Sequence, residues 1–201
     1  MQRRVFVQPR RRQSHRDGIR QRRRSGGRLP RVGGRRAPRR VGLVSGWADF
    51  QQEAPDLAGM VRSRFTHHKH CLLATVRRDG SPRLSGIELW FWKGEAWLGL
   101  MPGSAKGSDL DRDPRFELHS APTDLDLEEP DARIHGIAER VSDDATIAAF
   151  AADLPHPAPP PHEMDLFRIE PTQAVLVRVE GDELVMESWS PGVPPKRQTR
   201  R

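Results

Sequence analysis

Ser104 and Lys106 follow the breaker Met101-Pro102-Gly103 and open a segment, Ala105 to Asp111, that reads as a short helix. A helix N-terminus offers unpaired N–H groups and roughly half a positive charge. Ser104 suits the N-cap there and adds a hydroxyl donor, while Lys106 adds a full charge that can reach the same anion. The chemistry on offer is phosphate binding. Without a ligand the same residues are a plain cap and a solvated helix charge, and the sequence leaves both readings open. His67, His68, His70 and Cys71 form a second group with zinc-ligand chemistry. Alternate residues of a strand point to opposite faces, so His70 and Cys71 cannot share one ion there. His156 and His162 lie in a proline loop and do not complete a ligand set, so no metal is expected. His119 and His135 read as a pair across neighbouring strands or as ordinary partly buried histidines. No Ser–His–Asp set or carboxylate pair stands out, and no catalytic residue is assigned.

The elements that must position these residues are mostly strands. Phe50, Ala54, Leu57, Ala58, Val61 and Phe65 fall at helical spacing over residues 47–65, with Pro55 at the first turn of a second piece. Residues 70–77 alternate Leu72, Ala74 and Val76 against Cys71, Leu73 and Thr75, so both faces are apolar and the strand lies inside a closed or covered sheet. Asp79-Gly80 turns into a strand from Pro82 to Trp92, and Lys93-Gly94-Glu95 turns into another, Ala96 to Leu100. Further strands are expected over 115–119, 132–141, 165–170, 174–180 and 183–188, with a helix from Ser142 or Asp143 to Ala151. Asp124, Asp126, Glu128, Glu129 and Asp131 read as a solvated loop, as does the proline run at 154–162. Trp90, Trp92 and Trp97 read as core or dimer-interface aromatics, stacking on a cofactor being the lesser reading. The order predicts a mainly β (α+β) fold, a six-stranded antiparallel split β-barrel with short peripheral helices. No βαβ alternation supports a Rossmann fold.

Charge divides the chain. Residues 1–40 carry +15 and residues 41–201 carry −8. The first segment has too few apolar residues to offset the entropy of ordering, so residues 1–45 are expected to be a disordered basic leader. Such a segment binds nucleic acid or anionic membrane, or serves as a targeting signal, though it lacks the apolar stretch of a secretory one. A start codon assigned upstream of the true one in GC-rich DNA also yields such a run, with translation then beginning near Val41 or Val44. Residues 46–190 are the expected barrel and 191–201 a flexible tail. A single cysteine, Cys71, fits a reducing, cytoplasmic compartment, and no apolar run reaches the ~18 residues of a membrane span.

Leu73-Ala74-Thr75-Val76-Arg77-Arg78-Asp79-Gly80-Ser81-Pro82-Arg83 resembles the first hairpin of the pyridoxamine 5′-phosphate oxidase-like family. Pro102-Gly103-Ser104-Ala105-Lys106 with Asp109-Leu110-Asp111-Arg112-Asp113-Pro114-Arg115 resembles that family's passage from a strand through the phosphate-side helix into the next strand, and Gly136 with Ala138 also fits. The resemblance spans roughly residues 47 to 190. It implies a split barrel that dimerises and holds FMN, or in some branches the deazaflavin F420, between subunits. It gives Ser104 and Lys106 the cofactor phosphate, and it places Arg83, Leu84, Ser85 and Gly86 against the ring and ribityl chain, with Thr75 on the adjoining strand. Many relatives carry a second basic residue where this chain has Ala105, which implies either a lower phosphate affinity or compensation by Arg83. Absence of a catalytic constellation is compatible with such a protein, because the cofactor carries the hydride chemistry. The expectation is a cytoplasmic homodimeric oxidoreductase acting on a small molecule. The tail lacks a basic, histidine-containing motif for a second phosphate, which points away from pyridoxamine phosphate oxidation itself. A flavin-binding protein without turnover and a nucleic-acid binder using the leader are the alternatives. The −8 of residues 41–201 argues against the extra basic groove that F420's acidic tail would want.

Overall fold

The computed structural model describes residues 46–121, 129–155, 160 and 163–201. The basic leader, the acidic stretch 122–128 and most of the proline loop lie outside the described residues.

Two helices open the described chain, α1 (Trp47–Glu53) and α2 (Pro55–His67). Pro55 occupies the first turn of α2, where its missing N–H has no helical partner to lose. The expected apolar stripe, Phe50, Ala54, Leu57, Ala58, Val61 and Phe65, is buried, and Trp47 joins it. Phe50 stacks on Trp189 with ring centroids 4.4 Å apart, and Trp47 meets Phe91 edge-on. Burying each such side chain stabilises the fold by roughly 1.5–3 kcal/mol.

Nine strands follow: β1 (Cys71–Val76), β2 (Pro82–Ile87), β3 (Leu89–Trp92), β4 (Glu95–Leu100), β5 (Arg115–His119), β6 (Asp131–Val141), β7 (Asp165–Glu180), β8 (Glu183–Ser190) and β9 (Val193–Arg200). Helix α3 (Ala105–Arg112) sits between β4 and β5, and α4 (Asp144–Ala152) between β6 and β7. All pairings are antiparallel, and the main path runs β2-β1-β5-β6-β7-β4-β3, with β8 and β9 extending from β7. The expected strand 82–92 divides at Glu88, so β2 and β3 stand at the two ends of that path with one residue between them. β2 and β3 follow one another in the chain but do not pair, so the sheet is not a closed barrel; it is the expected split barrel, with nine strands among the described residues in place of the six expected.

The expected strands 165–170 and 174–180 are one strand, β7, running through Pro171. Its register with β6 shifts between His135 and Gly136, which pair with Gln173 and Pro171, so Thr172 is the extra residue of a bulge in β7 beside Pro171. Gly136 is required at that crossing, because a Cβ on it would stand 2.2 Å from the Glu170 carbonyl oxygen.

The tail differs from the flexible segment expected. Gly192, at φ +69°, turns the chain back and Val193–Arg200 pairs with β8. All eight of its residues are exposed, so no apolar alternation betrayed the strand. Ion pairs hold it instead, Arg197–Glu180 at 2.6 Å and Arg201–Glu183 at 3.2 Å. The histidine pair also resolves differently: the register sets His119 opposite Arg133 and His135 opposite Glu117, leaving the two histidines diagonal.

One core cluster fills the barrel beneath α1 and α2. A second gathers Trp97, Ile147, Phe150, Met164 and Leu166, with Trp90 and Trp92 packed against it. Trp92 donates its indole N–H to Asp153 at 2.7 Å and accepts that of Trp97 on its carbonyl at 3.0 Å. Among the described residues no helix is long and apolar enough to cross a membrane. Cys71 is buried on β1, and burial pushes its thiol up to about 12 despite the opposing pull of nearby backbone N–H groups and Lys106. Its thiolate fraction at pH 8 is therefore on the order of 10⁻⁴. Iodoacetamide at pH 8 is expected to leave the native protein unlabelled by mass and to label it once in denaturant. Rapid native labelling would show that β1 opens.

Candidate functional site

Helix α3 begins where the sequence places it. Ser104 is its N-cap, and its Oγ accepts from the Gly107 amide at 3.3 Å. The helix is tied to β2 at two points. Lys106 Nζ donates to the Gly86 carbonyl at 2.8 Å. Three residues before the end of α3, Asp109 is 3% exposed and accepts from Arg83 Nε at 2.6 Å, Thr75 Oγ1 at 3.0 Å and Arg112 Nη2 at 3.0 Å. Arg112 Nη2 also donates to the Val76 carbonyl. Asp109 thus joins β1, β2 and α3 through one carboxylate.

Burial alone would raise the Asp109 pKa. Hydrogen bonds from Arg83, Arg112 and Thr75 outweigh it and hold the carboxyl below the usual range. Lys106 is the reverse case: burial pulls its ammonium below the usual lysine range, and the thiol of Cys71 opposes this only in part. No carboxylate among the described residues pairs with it, so its charge is met by a carbonyl dipole alone.

Two clefts flank this junction. One, of about 500 Å³, is lined by Arg77, Arg78, Arg83 and Arg112 with Asp79 and Asp109, and by Ala105 and Ser108 of α3. The other, of about 430 Å³, is lined by Gly86, Ile87, Leu100, Phe150, Leu154 and Met164, with Lys106, His70, Glu88 and Glu163 among its ionisable groups. The first is cationic and the second largely apolar. Strand β2 and the first turn of α3 contribute to both: Arg83 and Ala105 to one, Gly86 and Lys106 to the other.

The sequence-derived candidates therefore lie together, in different roles. Ser104 and Lys106 are at the first turn of α3. Arg83 faces the cationic cleft, and Gly86 faces the apolar one with nothing within 4 Å of where its Cβ would stand. Ser85 is half-buried on β2 and Leu84 is 66% exposed there. Thr75 is buried with its hydroxyl engaged by Asp109, so it positions that carboxylate. Asp109 itself, and Arg77, Arg78 and Arg112, were not singled out from the sequence. A signal existed for Asp109: it adjoins Leu110 on the buried side of α3, and an acid there requires cationic partners. The negative balance of residues 41–201 argued against a basic groove, yet four arginines meet in one cleft.

Comparison with known proteins gives the fold a family. Residues 57–178 match the family model described as pyridoxamine 5′-phosphate oxidase. A pyridoxamine 5′-phosphate oxidase-related, FMN binding protein from Nostoc punctiforme is similar in structure, with a TM-score of 0.50 at 14% identity over 74% of this chain and 96% of that one. PhzG from Burkholderia lata, solved with tetrahydrophenazine-1-carboxylic acid, gives a TM-score of 0.52 at 15% identity over 80% of this chain and 94% of that one. No curated protein matches the sequence. The family match covers more than half of the residues and coincides with the barrel and its α3 junction, and the chain belongs to the pyridoxamine 5′-phosphate oxidase family.

Proposed function

We propose that the chain binds a flavin-type cofactor, FMN or the deazaflavin F420, and uses it in oxidation or reduction of a small molecule. The observation that carries this reading is Lys106: a partly buried ammonium without a carboxylate partner, set between a cationic and an apolar cleft. A partly desolvated cation in that position favours an incoming anion. The donor set fits a phosphate, with the Ser104 hydroxyl, the α3 N-terminus, Lys106 and Arg83 grouped on adjoining elements. The apolar cleft fits a flat ring, and the open space over Gly86 leaves β2's backbone accessible to it. The cofactor supplies hydride transfer when bound. This chain's residues bind and orient it, and the walls of Phe150, Leu154 and Met164 exclude water from the ring side. We also propose a homodimer, supported by Leu84 and Met101 at 66% and 76% exposure beside the clefts.

Titration of the full chain with FMN and with F420, followed by quenching of cofactor fluorescence, tests this. Saturable binding of one is expected, weakened roughly 10–100-fold in Lys106→Ala, the loss of one charge-assisted hydrogen bond. Because burial depresses the lysine's pKa, affinity is expected to fall with rising pH earlier than an ordinary lysine would cause. Absence of saturable binding, or binding indifferent to Lys106→Ala in a protein whose unfolding curve is unchanged, would overturn the reading. Retained cofactor without turnover of any nicotinamide or F420 donor would favour a binding protein of the same fold.

A further inference from the structure

We infer that the cleft between the last turn of α2 and the outer edge of β3 binds a planar aromatic molecule carrying a carboxylate, and that a molecule of this class is what the cofactor acts upon. The binding site stands on its own residues; its use for a substrate rests on the flavin reading above.

The cleft measures about 430 Å³, room for one or two fused rings. Helix α2 supplies Arg62, Phe65 and Thr66, which share one face at helical spacing. Strand β3 supplies Leu89, Trp90 and Phe91. Alternate side chains of a strand face opposite ways, so three successive residues border one cleft only along the strand's edge. Among the described residues β3 pairs with β4 alone. Its outer N–H and C=O groups therefore open onto the cleft between two half-buried aromatic side chains. Aromatic walls of this kind favour a flat ring over an aliphatic body of similar size.

The cleft's charges point to an anion. Glu88 is the one acid lining it, and Glu88 Oε1 lies 3.2 Å from Lys69 Nζ and 3.6 Å from His70 Nε2. Arg62 has no carboxylate partner among the described residues. Its guanidinium carbon stands 4.9 Å from the centre of the Phe91 ring. The ring steadies the guanidinium through its face and leaves the planar fork of N–H donors available to a carboxylate.

The position suits a substrate. Glu88 and Trp90 line both this cleft and the apolar one in which the cofactor ring is proposed to lie. Trp90 packs on the cluster that contains Phe150, a wall of the apolar cleft. A molecule anchored at Arg62 and laid along β3 thus directs its ring toward the cofactor.

Isothermal titration calorimetry on the full chain tests this with three probes: 2-naphthoate, the neutral 2-naphthylmethanol and the non-aromatic acid cyclohexanecarboxylate. Naphthoate is expected to bind about tenfold tighter than the alcohol, through one charge-assisted contact. It is expected to bind about threefold or more tighter than the non-aromatic acid, through the rings. The leader's charge meets both acids alike. Arg62→Gln, at an exposed position of α2, is expected to abolish the preference for acid over alcohol and to change FMN or F420 affinity by less than about twofold. Equal binding of naphthoate and either comparison probe, or an acid preference that survives Arg62→Gln, would overturn the site. Cofactor binding without naphthoate binding would overturn the site and leave the flavin reading standing. Naphthoate binding as expected, with neither FMN nor F420 bound, would keep the site and overturn both the flavin reading and the substrate role.

Discussion

Gly136→Ala is expected to lower the midpoint of denaturant unfolding by the equivalent of about 3 kcal/mol or more, roughly 6–12 °C in Tm for a domain of this size. The added methyl would stand 2.2 Å from the Glu170 carbonyl oxygen, 3.0 Å from its carbon and 3.1 Å from Phe116 Cζ. Two of these atoms are backbone of β7, so relief requires moving a strand paired to β6, β4 and β8. Gly59→Ala serves as the contrast. Gly59 is exposed within α2 with nothing within 4 Å of its Cβ position, and alanine there is expected to stabilise by about 0.5–1 kcal/mol. Equal effects of the two substitutions would show that β6 and β7 do not cross as closely as described.

The second large effect falls on Asp109. Asp109→Ala leaves Arg83 and Arg112 beside each other without their shared counter-charge and leaves the buried Thr75 hydroxyl unpaired. Breaking such a buried group by removing one member costs about 3–5 kcal/mol. Asp109→Asn keeps an acceptor and should cost less. The pH dependence has a definite sign. Asp109 is held below its unfolded value, so its contribution is complete above the ordinary aspartate range near 4 and is lost as pH falls through the lower folded value. The stability gap between the wild type and Asp109→Asn is therefore expected to be largest at neutral pH and to close under acid. Unfolding curves from pH 7 to pH 2 measure it, and a gap constant across that range would remove Asp109 from the role assigned to it.

Local signals were legible in the sequence. Pro55 at a helix start, Ser104 and Asp143 as caps and the strand 115–119 each follow from the chemistry of one or a few neighbouring residues. Features settled by distant partners were not legible. Nothing around Glu88 distinguishes a strand break from a continuous strand; the break follows from β2 pairing with β1 and β3 with β4 at opposite ends of the sheet path. The continuity of β7 through Pro171 depends on a bulge at Thr172 opposite His135 and Gly136 of β6, some 35 residues away. β9 has no buried face and exists because β8 offers an edge and glutamates. The same division holds at the site. Ser104, Lys106, Arg83 and Gly86 could be proposed from motif and cap chemistry. The cationic cleft required knowing that Asp109 draws arginines from a hairpin and a helix to one place.

The one-residue passage between β2 and β3 also constrains the order in which this chain can become a barrel. Residues 71–100 carry the first strands to emerge and can form two local hairpins, β1–β2 and β3–β4, hinged at Glu88. The inner edges of those hairpins, β1 and β4, belong to partners synthesised later: β5 for the first and β7 for the second. Until residue 165 and beyond have left the ribosome, β4 has no strand to accept its second row of hydrogen bonds. The β4 ladder, flanked by Leu98, thus stands unpaired from residue 100 until β7 arrives, whereas β5 follows soon after to cover β1; an open edge of this kind is one on which nascent chains associate. The long-range contacts that seal the barrel come last, so folding is slow for its size and vectorial production exposes it to aggregation before the final strands arrive.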